Sequence, residues 1–134
     1  MDRVTLKILQ PPDWPRPKGY ANGIAAEGRI IVTGGVVGWD AAGAFPESLV
    51  DQAAQVFANI VAILSEGGAQ PSHLVRMTWF LTSIDEYLAN QRALGKAYRE
   101  YFGTHYPAMA AVQVVRLIEP KAKLEIEATA VVPV

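Results

Sequence analysis

The chain has 134 residues, 51% of them hydrophobic and 19% charged, which fits one domain over residues 1–134 with a buried core and excludes a disordered or fibrous polymer. Twelve Lys and Arg against thirteen Asp and Glu give a formal charge of −1 with no basic stripe, so no nucleic-acid partner is expected. There is no cysteine, which removes disulfides and thiolate chemistry; no apolar run approaches the ~20 residues of a membrane helix, and Met1-Asp2-Arg3-Val4 is not a leader, so a cytoplasmic protein with no membrane partner is expected.

In chain order, Val4 to Leu9 alternates loosely and stops at Pro11-Pro12-Asp13-Trp14-Pro15-Arg16-Pro17, where the prolines exclude helix and central strand and predict an extended surface loop. Arg29 to Thr33, β-branched between Gly28 and Gly34-Gly35, predicts a buried strand, and Gly38 and Gly43 mark a loop. From Ser48 the period turns helical. Ala53, Phe57, Ile60, Val61 and Leu64 share one face, Ser48-x-x-Asp51 opens the helix and Gly67-Gly68 offers a left-handed stop. Leu74 to Thr82 reads as a strand covered on both faces, with Val75, Met77, Trp79 and Leu81 on one side and Arg76, Thr78, Phe80 and Thr82 on the other. A second helix opens at Ser83-x-x-Glu86, presents Tyr87, Leu94, Tyr98 and Phe102, and ends at Gly103.

Two strands close the chain, Ala110 to Leu117 and Ala122 to Val132, the second with Leu124, Ile126, Ala128, Ala130 and Val132 as its core face. Single helices between strand segments predict an α+β fold, one mixed sheet with two helices on one face. Nothing left in the chain covers the other face, whether it carries Trp79 or a mixed row, so a homo-oligomer is expected.

The serines are spoken for: Ser48 and Ser83 are caps, Ser65 closes a helix and Ser72 lies in the turn Gln70-Pro71-Ser72-His73, so no serine nucleophile is expected. His73 and His105 lack ligand spacing, and Gly34-Gly35-x-x-Gly38 opens no helix; neither a metal nor a nucleotide cofactor is expected. Those glycines suit close backbone approach instead. Glu125 and Glu127 share the polar face of the last strand, about 7 Å apart at Cα, as a carboxylate pair beside whatever covers that face or as partners of Lys123, Arg76 or Arg116. Arg116, a charge in an apolar strand, is expected to be paired. Trp14, Trp39 and Trp79 read as core or interface area.

Four segments then form a pattern: Gly19-Tyr20-Ala21-Asn22-Gly23, Ile31-Val32-Thr33-Gly34-Gly35, Val112-Gln113-Val114-Val115-Arg116-Leu117, and Leu124-Glu125-Ile126-Glu127-Ala128-Thr129-Ala130-Val131. In this order, over nearly the whole chain, they resemble the RidA (YjgF/YER057c/UK114) family. The resemblance implies a chorismate-mutase-like fold and a homotrimer with a central barrel, helices outside and clefts between subunits that bind a small molecule. It implies a cofactor-independent enamine/imine deaminase that releases ammonia and leaves a carbonyl compound. By position, Tyr20 lines the cleft, the backbone of Gly34 and the amide of Ala111 meet the ligand, and Glu125 activates the attacking water.

One departure matters. After Tyr106-Pro107-Ala108, active deaminases resembling this chain carry an arginine that forks the substrate carboxylate, and here Met109 stands in its place. A methionine makes no charge-assisted bond, so standard 2-imino acids are not the expected substrates. Arg16 or Lys18 is a candidate replacement cation, and Gly95, where active members carry a polar residue, implies a roomier, more apolar cleft. The alternative is a non-catalytic trimer that binds a small molecule or another protein; an endoribonuclease ranks last, against the charge balance and without an acid–base histidine pair.

Overall fold

A computed structural model describes residues 6–134; Met1 to Val4, on which the leader reading and the start of the first strand rested, lie outside the described residues. An N-terminal hairpin pairs β1 (Leu6–Leu9) with β2 (Gly23–Ala26). The main sheet holds β3 (Arg29–Val32), β4 (Val36–Val37), β5 (Leu74–Leu81), β6 (Ala108–Gln113) and β7 (Leu124–Val132). Its order is β3-β7-β5-β6, with β4 also on β7. The β5–β6 pair is parallel and the pairs with β7 are antiparallel, so the sheet is mixed. The α+β expectation holds, with the correction that β1 and β2 form a hairpin of their own. That hairpin joins the sheet through one bridge, Ala21 to Ala108, where Ala21 N–H donates to Pro107 O at 3.0 Å.

Helix α1 (Leu49–Glu66) starts where expected, Ser48 Oγ accepting from Asp51 N–H at 3.0 Å. It ends on Gly67-Gly68: Ala69 N–H donates back to Leu64 O at 2.9 Å while Gly68 takes φ +78°, a left-handed stop that costs a glycine little. Arg29 donates from Nη1 to Gly67 O at 2.8 Å, a cation on the helix's negative end. The second helix is two. α2 (Ile84–Ala89) and α3 (Gln91–Phe102) break at Asn90, whose backbone leaves helical geometry (φ −121°, ψ 18°) while its Nδ2 donates to Glu86 O at 2.7 Å; a short amide competes with the helix for its own carbonyls.

Both helical segments pack on one sheet face. Phe57 is fully buried, with ring centroids 5.2 to 5.7 Å from Trp79, Tyr98 and Phe102. Leu124, Ile126, Ala128 and Ala130 face this cluster from β7, as the alternation predicts. On β5 a bulge between Leu74 and Arg76 shifts the register, so Leu74, not Val75, joins Met77, Trp79 and Leu81 in the core.

Two further expectations are corrected, and one alternative is decided. β3 is an edge strand, not a buried one: Ile30 and Val32 are 69% and 65% exposed because they lie on the face opposite the helices. That open face carries the mixed row, since Trp79 turns to the helices. β6 stops at Gln113; Val114 N–H still donates to Leu81 O at 2.8 Å, and Val115 to Leu117 leave the sheet edge with Val115 99% exposed. No helix among the described residues is long and apolar enough to cross a membrane.

Gln52, 1% exposed, was not singled out by sequence pattern. Its Nε2 donates to Pro46 O (2.8 Å) and Lys121 O (2.9 Å), and its Oε1 accepts from Lys123 N–H (2.8 Å). Gln52→Leu keeps the volume and removes all three bonds, leaving buried backbone groups unmatched. It should cost about 2–4 kcal/mol, read as a lower urea midpoint at fixed protein concentration with an unchanged slope.

Candidate functional site

The sequence-derived site residues fall into two groups. Tyr20, Met109 and Ala111 line one concavity together with Lys18, Gly19 and Trp79. The Ala21–Ala108 bridge holds Tyr20 beside β6, and the parallel register sets Met109 opposite Met77 and Ala111 opposite Trp79. Because cross-strand partners project to the same side of a sheet, Met109 and Ala111 belong to the helix side. Met109 is half-buried against the core, whereas Ala111 lies exposed at the edge.

Glu125 belongs to the other side. Its partners are Phe80 on β5 and Val37 on β4, and it is half-buried in a concavity shared with Phe80, Val114, Arg116, Leu117 and Ile118. The expected ion pairs do not form: Lys123 turns to Glu86 at 3.1 Å, the only salt bridge among the described residues. Arg116, expected to be paired, is an exposed loop residue that lines the Glu125 concavity without an ion pair among the described residues. The Glu125 carboxylate is thus held by packing, with Arg116 in the same concavity but no ion pair to it among the described residues.

What it packs on is a glycine. Between β3 and β4 the register against β7 slips by one residue, from Val32↔Thr129 to Val36↔Ile126, and the bulge is made by Thr33-Gly34-Gly35. Thr33 pins it on both sides: its N–H donates to Ala128 O (2.9 Å) and its Oγ1 accepts from Ala128 N–H (3.0 Å). A methyl group on Gly35 would come within 2.5 Å of Glu125 Oε2, while one on Gly34 would meet nothing within 4 Å. The glycine that the carboxylate requires is therefore Gly35; Gly34 presents open backbone beside it. The sequence marks Gly34, Gly35 and Gly38 together as suited to close backbone approach, and the family resemblance singles out Gly34; the structure assigns the close approach to Glu125 to Gly35.

A second cavity opens on the helix side. Its volume is about 320 Å³, and its walls include Trp79, Tyr87, Leu94, Tyr98, Tyr106 and Met109 together with the cations Lys18 and Arg99. Trp79 Nε1 is the one buried side-chain polar atom without a hydrogen-bond partner among the described residues; an unmatched buried donor costs about 1–3 kcal/mol. Tyr98 donates its hydroxyl to His105 O at 2.6 Å, and burial, then Tyr106, drives its pKa well above the usual tyrosine value. Its hydroxyl is a fixed donor, not a base. His105 Nε2 lies 2.7 Å from Leu74 O, and His73 Nδ1 accepts from Gln70 N–H, so both imidazoles serve backbone turns. Trp14 and Trp39 are 59% and 43% exposed, away from the core.

The fold and the open carboxylate define a small α+β protein with a mixed sheet, one face helical and one face bare. The family model described as Endoribonuclease L-PSP matches residues 15–132, and the chain belongs to this family, the RidA/YjgF proteins. Among its relatives, the 2-iminobutanoate/2-iminopropanoate deaminase of Capra hircus is 32% identical over 135 residues, 98% of this chain and 93% of that protein. A RutC family protein of Synechocystis is 35% identical over 140 residues, 97% of this chain and 99% of that one. Among solved structures, the Rid family protein YyfB of Yersinia pestis superposes with a TM-score of 0.83 at 28% identity, covering 96% of this chain and 100% of that one. E. coli TdcF with bound serine gives 0.67 at 32% identity, covering 93% and 98%.

Gly35→Ala tests the carboxylate seat. A crystal structure of the variant should show the Glu125 carboxylate displaced by an ångström or more with the β3–β7 register intact; an unmoved carboxylate would contradict the assignment.

Proposed function

We propose that this chain is a cofactor-independent imine/enamine hydrolase, working in a cleft between subunits of a homotrimer, with Glu125 as its catalytic residue. The observation that carries the reading is the Glu125 carboxylate, half-buried, free of ion pairs among the described residues and seated on a glycine bulge. The deaminase name of the Capra hircus relative supports the reaction class.

Parity supports the trimer. In one chain, Met109 and Ala111 face the helix side while Glu125 faces the bare side, so a cleft using all of them draws the two groups from neighbouring copies. The bare face carries exposed Ile30, Val32 and Val112 around the two glutamates, an apolar surface that a second and third copy would cover as a barrel.

The chemistry asks little of the protein. A protonated imine carbon is already electrophilic. Glu125 takes a proton from water as the water oxygen bonds to that carbon, giving a neutral carbinolamine and a protonated Glu125. It passes that proton to the nitrogen, then removes the hydroxyl proton as the C–N bond breaks, leaving the carbonyl compound and ammonia. Ammonia carries the last proton away as ammonium, and Glu125 is again a carboxylate. The backbone of Gly34, the amide of Ala111 and the ring of Tyr20 position the substrate. Met109 gives no fork for a carboxylate beside the imine carbon, so standard 2-imino acids are poor substrates in this reading.

The test competes enzyme against semicarbazide for freshly generated imines. Wild type should suppress semicarbazone formation from an imine lacking a carboxylate, Glu125→Gln should lose roughly 10²–10⁴-fold in rate, and Met109→Arg should gain activity on 2-imino acids. Light scattering should report about three times the 14.5 kDa chain mass. If Glu125→Gln keeps the wild-type rate, or no imine is hydrolysed, the trimer is a binding module instead.

A further inference from the structure

Resting on the homotrimer of the reading above, we propose that the bare sheet face recognises a second copy of this chain through charge, with Arg76 of each copy paired to Glu127 of the next. Both residues stand on that face. Met77 is fully buried toward the helices, so its neighbours Arg76 and Thr78 point away from them; buried Ile126 and Ala128 place Glu127 on the same side. Arg76 lies opposite Thr129 and Glu127 opposite Thr78, one diagonal step apart across β5 and β7, a gap of about 7–8 Å that long side chains can span. They leave it open. Both residues are exposed, and neither forms an ion pair among the described residues.

Their surroundings require a partner once the face is covered. Val32 continues the row of Arg76 and Thr129 onto β3 at 65% exposed, Ile30 on the same strand is 69% exposed, and Val112 on β6 is 43% exposed. Burying these apolar margins against another copy takes water from the charges on the two strands between them, and a desolvated charge without a partner is strongly unfavourable. Among the described strand residues the charges on this face are Arg76, Glu125 and Glu127. Glu125 is committed to the cleft in the reading above, which leaves one cation for one carboxylate. The cross-strand neighbours of both are small, Ala108 and Thr129 beside Arg76, Thr78 across from Glu127 with Ala110 beyond it, so a guanidinium arriving from another copy meets no bulky side chain there. Because cation and acid stand on different strands, the contact runs head to tail: each copy gives a guanidinium to one neighbour and a carboxylate to the other. An open string of copies leaves one of each unpaired at its ends. A ring leaves none.

Charge reversal reads the pair out as assembly. At a concentration where light scattering finds wild type at about three times the 14.5 kDa chain mass, Arg76→Glu and Glu127→Arg should each weaken assembly about tenfold or more, and the double variant Arg76→Glu/Glu127→Arg should recover it to within about threefold of wild type. The chain has no cysteine, so Arg76→Cys and Glu127→Cys proteins, co-expressed, can be joined by a short bismaleimide only between copies. The crosslink between the two different variants, read by mass spectrometry, should exceed that between two copies of either one about fivefold or more. Reversal variants that assemble like wild type, or a double variant that stays dissociated, overturn the proposal. So does a recovered double variant without the mixed crosslink, which would place the pair within one chain. A wild type that remains at 14.5 kDa removes the trimer and the pair together. Imine hydrolysis by the double variant should match wild type; if wild type assembles and responds to reversal yet hydrolyses no imine, the hydrolase reading falls and the interface stands.

Discussion

One buried amide sets the register from which the rest of the molecule is built. Gln52 on α1 accepts from Lys123 N–H, the residue just before β7, and donates to the carbonyls of Pro46 and Lys121 on either side. With both amide atoms matched, its burial is offset, and a shifted strand would leave these groups unpaired in a dry environment. Fixing the start of β7 fixes which of its residues face the helices. Since β7 pairs with β3, β4 and β5 at once, a one-residue slip would turn Ile126 outward and Glu125 into the aromatic cluster around Phe57.

The same parity makes the proposed function depend on assembly. Strand partners share a side, so Met109 and Ala111 follow Met77 and Trp79 to the helices while Glu125 follows Phe80 to the bare face. One copy therefore carries two half-sites that it cannot bring together itself. An apolar face with Ile30 and Val32 more than half exposed is a cost in a lone chain and an asset in the proposed closed ring, where the contact that buried it would also set one copy's glutamate beside the next copy's cavity.

Sequence pattern revealed most of the fold where one period dominates. The even face of β7, the Ser48 cap, the glycine stop of α1 and the core face of that helix follow from alternation and capping that nothing in the tertiary structure opposes. It failed where a local residue overrides the period. Asn90 divides a continuous helical pattern, the bulge at Val75 exchanges the faces at the start of β5, and Val114 to Leu117 keeps strand-like composition after the last paired residue, Gln113. β3 looked buried because its residues are apolar, yet composition cannot distinguish a face covered by helices from one left for another copy. At the site, residue types pointed to Glu125 and Met109. That Gly35 is the glycine under the Glu125 carboxylate stayed hidden, because it matters through one neighbour, 2.5 Å from the position of a missing methyl, and a distance across strands has no trace in composition.

The bulge ties register to chemistry. Had β3 and β4 formed one uninterrupted strand, the residue over Glu125 would have been an ordinary pleated position, its side chain crowding the carboxylate from the same face. The extra residue, pinned by Thr33 on both hydrogen-bonding groups of Ala128, brings bare backbone there instead. Gly35 then permits the close approach that locates the carboxylate, and Gly34 leaves the backbone beside it open. Position is thus supplied without an ion pair among the described residues, and a carboxylate held by packing keeps its lone pairs available to take a proton from water.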